Sequence, residues 1–584
     1  MRARRGRAFC ATPAPLLADA PRASLTMSLA SWNKQDWRGA LRNYASRLDF
    51  WLVAGCVLVV LWAAVQLPFF AFGRDQSIYA LVGRGILEGD MPYRDRWDFK
   101  PPGVFLIYAF AEAIFGPVMW GTRLFEAVGL LITARLLVFL SETYFADRRP
   151  GYLAAAIASL VHVQLEFWHT GQPESYAGFL TIMALAAVSA KAKTTRGHYA
   201  WWFVAGLCFG AAFLLKPPLG GGAVVVAAFL LRQERDVATA EGKRGASWLL
   251  SVFSPFLVIG AGALLPLAVV GCWFWVKGAW SELAWTLFEF TPGYTKLGWS
   301  TNAAGGFYRA LESAWTKHSA FIGIGVLAAG VGSAISTRDR EGIGLVLGVL
   351  AVQLAGIAMQ AKFFEYHFGA SIPLLAFIAG LGWFKIWRAA TRRHGGGAVA
   401  FLSLVLVVGR ARVPIYDVPE GFWVRSWERT KASVGASEQA NQHAWDTRFH
   451  FVADFNLAAD REVADWIGAR STPADQIFVW GFEPAIYWFA NSPLVSRFIY
   501  NVPQRVHWDN QRARGELFED LKRALPTWFV VQQHDYFKFV TGNDYDSKQA
   551  LELDTELFEW VNALYTKVEQ IEDFEVYRLI AAVR

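Results

Sequence analysis

Apolar runs that could each cross about 30 Å of hydrocarbon recur along this chain, near residues 50–70, 122–141, 151–168, 174–190, 199–215, 218–231, 248–276, 319–336, 342–360, 368–386 and 397–410. Inside a bilayer no water satisfies backbone amides, so such runs fold as helices that satisfy their own. About eleven spans are therefore predicted, and the expected fold class is a polytopic α-helical membrane protein. A 54% hydrophobic composition over 584 residues excludes a soluble class. The 27 tryptophans fit aromatic belts at headgroup level, where indole keeps its ring in apolar surroundings and its one donor near water.

The apolar segment 102–116 is short and carries Glu112, which favours an interfacial helix on the membrane surface. Counting it as a span would invert every later loop. With it on the surface, Arg148, Arg149, Lys191, Lys193, Arg196, Arg232, Arg235, Lys243, Arg244, Arg338, Arg340, Lys385, Arg388, Arg392 and Arg393 share one side with the basic tail 1–48. That side is cytoplasmic by the positive-inside rule. The opposite loops hold Lys216, Lys277, Lys296, Arg309, Lys317 and Lys362, spread over a greater length. Residues 71–121, 169–173, 277–318, 361–367 and everything after 411 then face outward. The net charge of +7 is a topology signal, and no nucleic-acid partner is expected. Residues 1–26 lack the apolar core of a cleavable signal peptide, and Met27 is an alternative start to Met1. Cys10, Cys56, Cys208 and Cys272 have neither metal-ligand spacing nor a disulfide framework.

Beyond residue 411 the pattern changes. Residues 476–481, 528–531 and 574–580 read as strands, while 457–470, 510–524 and 550–568 show helical spacing with charged faces. The expected organisation is a cytoplasmic tail 1–48, a membrane domain 49–410 with its first outer loop at 71–121, a linker or surface segment 411–455, and an outer α/β domain 456–584.

Candidate chemistry gathers on the outer face. Asp75 opens a predicted helix to Glu88, where it serves either as a cap for free amides or as an acid or base. Glu174 stands just beyond His169-Thr170-Gly171-Gln172-Pro173. Two acids from separate outer loops suggest an acid/base pair or a site for a divalent metal. The step Lys-Pro-Pro occurs at Lys100 and again at Lys216. Each is a helix-start signal with a snorkelling lysine, and two at one depth suggest an anion site. Lys362, Tyr366 and His367 add a cation, a phenol and an imidazole, with an interface belt as the rival reading. Tyr294, Lys296 and Trp299 are further candidate sugar or lipid-phosphate contacts. A carboxylate that takes a hydroxyl proton, beside a lysine that holds a lipid-borne phosphate, is the pairing sugar transfer requires. No P-loop or dinucleotide-binding glycine motif is present.

The runs Arg74-Asp75-Gln76-Ser77-Ile78-Tyr79-Ala80-Leu81, Gly89-Asp90-Met91-Pro92-Tyr93-Arg94-Asp95 and Trp97-Asp98-Phe99-Lys100-Pro101-Pro102-Gly103 resemble the first outer loop of bacterial GT-C glycosyltransferases. The nearest group is family 39, the protein mannosyltransferases and lipid A aminoarabinose transferases. Support extends through Gly171-Gln172-Pro173-Glu174, Phe213-Leu214-Leu215-Lys216-Pro217-Pro218 and residues 362–368. The resemblance implies an inverting transferase in the bacterial inner membrane. Its donor would be a polyprenyl-phosphate sugar, hexosyl or pentosyl, and its acceptor an envelope glycan, lipid or protein on the periplasmic side. It implies Asp75 as base or acceptor-orienting group, Lys100 and Tyr366 at the carrier phosphate, and two juxtamembrane helices in the first loop. Glu174 joins Asp75 as a catalytic candidate, and Lys216 and Lys362 join the phosphate set. Tyr79, Trp97, Asp98, His169, Tyr294 and His367 complete the candidate sugar or acceptor contacts. Many relatives carry Asp-Glu where this chain has Asp75-Gln76, and aspartate where it has Glu174, so Mg or Mn at Asp75 and Glu174 stays open. Val479-Trp480-Gly481-Phe482-Glu483-Pro484 and Ser496-Arg497-Phe498-Ile499-Tyr500 resemble the outer domains of bacterial members, with no role attached.

The rival classes are a transporter or flippase of lipid-linked sugars and a non-catalytic polysaccharide assembly protein. A transporter would want charge or broken helices at mid-membrane, and only Arg135 and Glu166 offer charge there.

Overall fold

The computed structural model describes residues 48–192, 194–300, 303–313, 320–333, 337–391, 396–413, 420–435 and 442–580. Met27, Cys10, Lys193, Lys317, Arg392 and Arg393 lie outside the described residues, as do the Arg309 and Arg338 side chains. The chain divides into two units, residues 1–52, of which only the start of a helix is described, and residues 53–584.

The eleven predicted spans correspond to helices Leu48–Gln66, Met119–Phe145, Arg149–Gln164, Pro173–Ser189, Thr195–Leu215, Gly222–Ala240, Gly245–Val276, Ala320–Ser333, Thr337–Gln360, Ile372–Thr391 and Gly396–Gly409. Among the described residues, six helices are long and apolar enough to cross a membrane unaided, at Asp49–Phe69, Met119–Phe145, Thr195–Leu215, Gly245–Val276, Asp339–Gln360 and Ile372–Thr391. Two of the shorter ones, Arg149–Gln164 and Pro173–Ser189, are buried along almost their whole length. Neighbouring helices, rather than lipid, surround them. Gly245–Val276 is the opposite case, turning Leu250, Leu257, Leu264 and Val269 outward, as a lipid-facing helix does.

The first loop holds the two expected surface helices, Arg74–Glu88 and Gly103–Phe115. Gly89 ends the first in a left-handed conformation, φ 101°, which glycine adopts without a Cβ clash. Arg84 Nε donates to the Glu112 carboxylate at 2.8 Å. The charge that set 102–116 apart from a span is thus neutralised by the adjacent surface helix.

In the α/β part, strands β1 (Ile477–Trp480), β2 (Trp528–Gln532), β3 (Tyr565–Ile571) and β4 (Phe574–Leu579) form one sheet in the order β1-β2-β4-β3. β1 runs parallel to β2, and the remaining pairs are antiparallel. The helix expected over 550–568 is corrected by the structure. Helices Ser547–Leu553 and Thr555–Leu564 precede strand β3, which hairpins onto β4. β3 is an edge strand that buries only Tyr565 and Ile571, so little apolar alternation marked it.

Within 411–455, helix Phe422–Ser433 lies against the ends of two membrane helices. Trp62 Nε1 donates to Thr430 Oγ1 at 3.0 Å, and Trp423 Nε1 donates to the Gly409 carbonyl at 3.1 Å. Its Arg425 and Arg429 both reach the buried Glu166 carboxylate. Glu166 follows the end of Arg149–Gln164 in a single helical turn. One of the two charges that favoured a transporter therefore sits at a helix end, neutralised.

Candidate active site

The two Lys-Pro-Pro steps, 116 positions apart by sequence number, meet in space. Gly103, just after Lys100-Pro101-Pro102, lies so close to the end of Thr195–Leu215 that a Cβ would stand 2.7 Å from the Leu214 carbonyl carbon. Only glycine permits that approach. It brings the loop carrying Lys100 beside the end that carries Lys216.

A third strand of chain, 167–172, is clamped between them. Arg123, fully buried, donates to the carbonyls of Phe70 at 3.2 Å, Ala71 at 2.7 Å and Phe167 at 2.9 Å, and to Thr170 Oγ1 at 3.0 Å. Glu126 accepts from the Gly171 amide at 2.7 Å. Gly171 has φ 68°, and a Cβ there would meet Arg123 Nη1 at 2.6 Å. This clamp fixes where Gln172 points.

Gly73, not Asp75, caps the helix Arg74–Glu88. The Gln76 side chain reaches back, its Oε1 accepting from the Gly73 amide at 3.0 Å. Its Nε2 donates to the Thr170 carbonyl at 2.6 Å and the Trp168 carbonyl at 3.1 Å. Freed from capping, Asp75 turns its Oδ2 to Gln172 Nε2 at 3.1 Å and to Lys100 Nζ at 3.8 Å. Tyr79 is fully buried and donates its hydroxyl to Gln172 Oε1 at 3.0 Å. It acts on Asp75 through Gln172.

Asp75, Asp98, Lys100, His169, Tyr294 and Tyr366 line one cleft of about 180 Å³. Phe482, Tyr500, Phe537 and Val540 of the α/β part form its far wall. Lys100 Nζ stands 5.3 Å from the centre of the Tyr366 ring, within cation–π range. Burial opposes the Lys100 charge, yet the Asp75, Glu174 and Asp98 carboxylates outweigh it and hold its pKa above the usual value. Burial pushes the Asp98 carboxyl up to about 6, against the pull of Lys100 and the Tyr500 hydroxyl. Burial also drives the Tyr366 phenol well above its ordinary range, so it stays a donor.

Other sequence-predicted residues stand outside this cleft. Trp97 is fully buried in an aromatic cluster, with Phe290 at 4.8 Å between ring centres, and its Nε1 donates to Thr286 Oγ1 at 3.1 Å. It joins the first loop to the α/β part and does not line the cleft. Lys362 lies over the Tyr294 ring at 4.1 Å and donates to the Phe539 carbonyl at 2.5 Å. Burial pushes its pKa down to about 8. Lys216 is ion-paired with the buried Glu174, and burial lowers its pKa. His367 is buried 3.9 Å from Glu174, and burial with the nearby Lys216 and Lys100 holds its pKa well below the usual value. Lys296 and Trp299 also lie away from the cleft, Trp299 Nε1 donating to the Met359 carbonyl at 2.9 Å.

Glu174 Oε1 is paired with Lys216 and Asp75 Oδ2 accepts from the Gln172 amide, so an ion shared by the two carboxylates would compete with both contacts. Among the described residues no cluster of three His, Cys, Asp or Glu side chains is placed to hold a metal. A larger hollow of about 1040 Å³ between the first loop and the α/β part contains none of the predicted site residues. Several of its charges pair with one another, as Arg96 with Asp90 and Arg497 with Glu282. Convergence of chemistry, not size, selects the smaller cleft.

Sequence reasoning missed Arg74, Gln76, Gln172, Tyr500 and Glu483 as parts of the site. The first three stand within or beside the motifs already singled out, and the last two lie in the motifs to which no role was attached.

Many apolar helices, two helices in the first loop, a loop-borne site at one end of the bundle and a trailing α/β part give the chain the fold of the membrane proteins to which it is similar. Residues 99–259 match the family model described as dolichyl-phosphate-mannose-protein mannosyltransferase. The chain is similar to the apo structure of ArnT from Cupriavidus metallidurans, with a TM-score of 0.50 at 12% identity, covering 91% of this chain and 98% of that one. For ArnT bound to undecaprenyl phosphate the values are 0.49 and 13%, covering 92% and 99%. For the Archaeoglobus fulgidus oligosaccharyltransferase tethered to an acceptor peptide they are 0.48 and 12%, covering 89% and 72%. No curated protein sequence matches the chain.

Proposed function

We propose that this protein transfers a sugar from a polyprenyl phosphate to an envelope acceptor on the outer face of the bacterial inner membrane, by single displacement at the anomeric carbon. The observation that carries the reading is the 3.8 Å approach of Asp75 Oδ2 to Lys100 Nζ in the lining of one cleft. A carboxylate and an ammonium so placed can serve one bound molecule at two points. Asp75 orients the acceptor hydroxyl and takes its proton as the new bond forms. Lys100, with the Tyr366 hydroxyl, stabilises negative charge on the departing phosphate, and low-dielectric surroundings strengthen both contacts.

Lys216 acts one step back. Its pairing with Glu174 answers that buried carboxylate and fixes the loop end. The family matched by residues 99–259 is named for a prenyl-phosphate sugar donor, which supports the donor class. The outward orientation rests on the loop cations.

The test is Asp75→Asn in full-length protein, scored by mass analysis of envelope glycans and polyprenyl-linked sugars. Loss of general-base action predicts a fall of about 10²- to 10⁴-fold with unchanged thermal unfolding. Wild-type transfer by this variant would refute the mechanism.

A further inference from the structure

The lysine assigned to the phosphate has a long, flexible side chain, so its usefulness depends on how firmly its backbone is held. The Lys100 amide donates to Asp98 Oδ2 at 3.3 Å, and its carbonyl accepts the Tyr93 hydroxyl at 2.8 Å. Asp98 is itself 1% exposed, and its Oδ1 accepts the Tyr500 hydroxyl at 2.6 Å. Tyr500 belongs to the α/β part, where its ring packs on Phe482 with 4.8 Å between centres. Beside it the Trp97 amide donates to the Arg497 carbonyl at 2.7 Å. Tyr500 also lines the cleft opposite Asp75 and Lys100.

A buried carboxylate is costly unless its charge is answered. A purely packing role would be met by an apolar side chain. Here the carboxylate spans two parts of the protein, with the α/β part on one oxygen and the backbone of the critical lysine on the other. We propose that Tyr500 is a positioning residue for sugar transfer, holding Asp98 so that Asp98 holds Lys100, and that the α/β part is thereby a working wall of the active centre. This rests on the reading of Lys100 as the phosphate-binding cation.

The test uses full-length protein in lipid nanodiscs with undecaprenyl phosphate as the probe, its binding measured between pH 5 and 8. Removing one hydrogen bond to a charged group by Tyr500→Phe weakens binding about 3- to 10-fold at pH 7.5 while the ring still packs on Phe482. It also moves an inflection near pH 6 to higher pH, because the bond favours the ionised form of Asp98. Lys100, Asp75, Tyr79, Tyr93, Tyr294, Tyr366 and Tyr500 all act on or feel that carboxyl. Asp98→Asn therefore serves as the reference, and any inflection it retains belongs to the phosphate of the probe or to those neighbours. Lys100→Ala tests the underlying reading separately. If it binds like wild type, both readings fall. If it loses binding while Tyr500→Phe keeps wild-type affinity and an unmoved inflection, the Tyr500 proposal alone is overturned.

Discussion

Arg74, the residue immediately before Asp75, is ion-paired with Glu483 of the α/β part, both side chains almost fully buried. Asp454 adds a second carboxylate at 3.0 Å. The guanidinium is held above its usual pKa because these carboxylates outweigh its burial. The helix that presents the proposed catalytic base is thus pinned from a segment some four hundred residues later. Glu483→Ala removes one partner of a buried pair, which costs about 3–5 kcal/mol. A lowered thermal midpoint in detergent, with reduced transfer, is the expected result.

Gln76→Glu would put a carboxylate in place of a fully buried amide beside Asp75. Here it should damage the protein. The amide donates to the Thr170 and Trp168 carbonyls, and a carboxylate would set charge against those oxygens with no donor to offer. Loss of the bonds and burial of an unanswered charge predict at least about 2 kcal/mol of destabilisation. Thermal unfolding above pH 6 measures it, and a variant as stable as wild type would count against the account of this loop.

Asp98 links pH to stability with a definite sign. Its folded value of about 6 lies above the ordinary 3.8, so the native state holds this proton more tightly than the unfolded chain. Its contribution is full below about pH 4 and is lost as the pH rises through 6. Asp98→Asn cannot ionise, and should gain on wild type by on the order of 2 kcal/mol between pH 4 and pH 7.5. Parallel unfolding midpoints across that range would contradict it.

Glu174 and Lys216 should behave as one unit. Glu174→Ala alone strands a buried ammonium and costs about 3–5 kcal/mol. Replacing both by apolar residues of similar volume should recover much of that loss. A double-mutant cycle on thermal stability is expected to give a coupling of at least about 1 kcal/mol, and additive effects would separate the two side chains.

The sequence alone determined the helices of the predicted spans, the two helices of the first loop, the grouping of Asp75, Asp98, Lys100, His169, Tyr294 and Tyr366, and three of the four strands of the main sheet. Apolar length, helical and strand periods, and loop charge are local properties that can be read along a chain. The edge strand Tyr565–Ile571 escaped because it buries too little to show a period. Tertiary structure alone decided that Glu174 belongs to Lys216, that Trp97 is core, and that Lys362 turns to Phe539. It also decided that Tyr500 and Glu483 complete a site begun at Arg74. Those are pairings between distant segments, set by how buried charges find partners, and no local pattern specifies which partner each one meets.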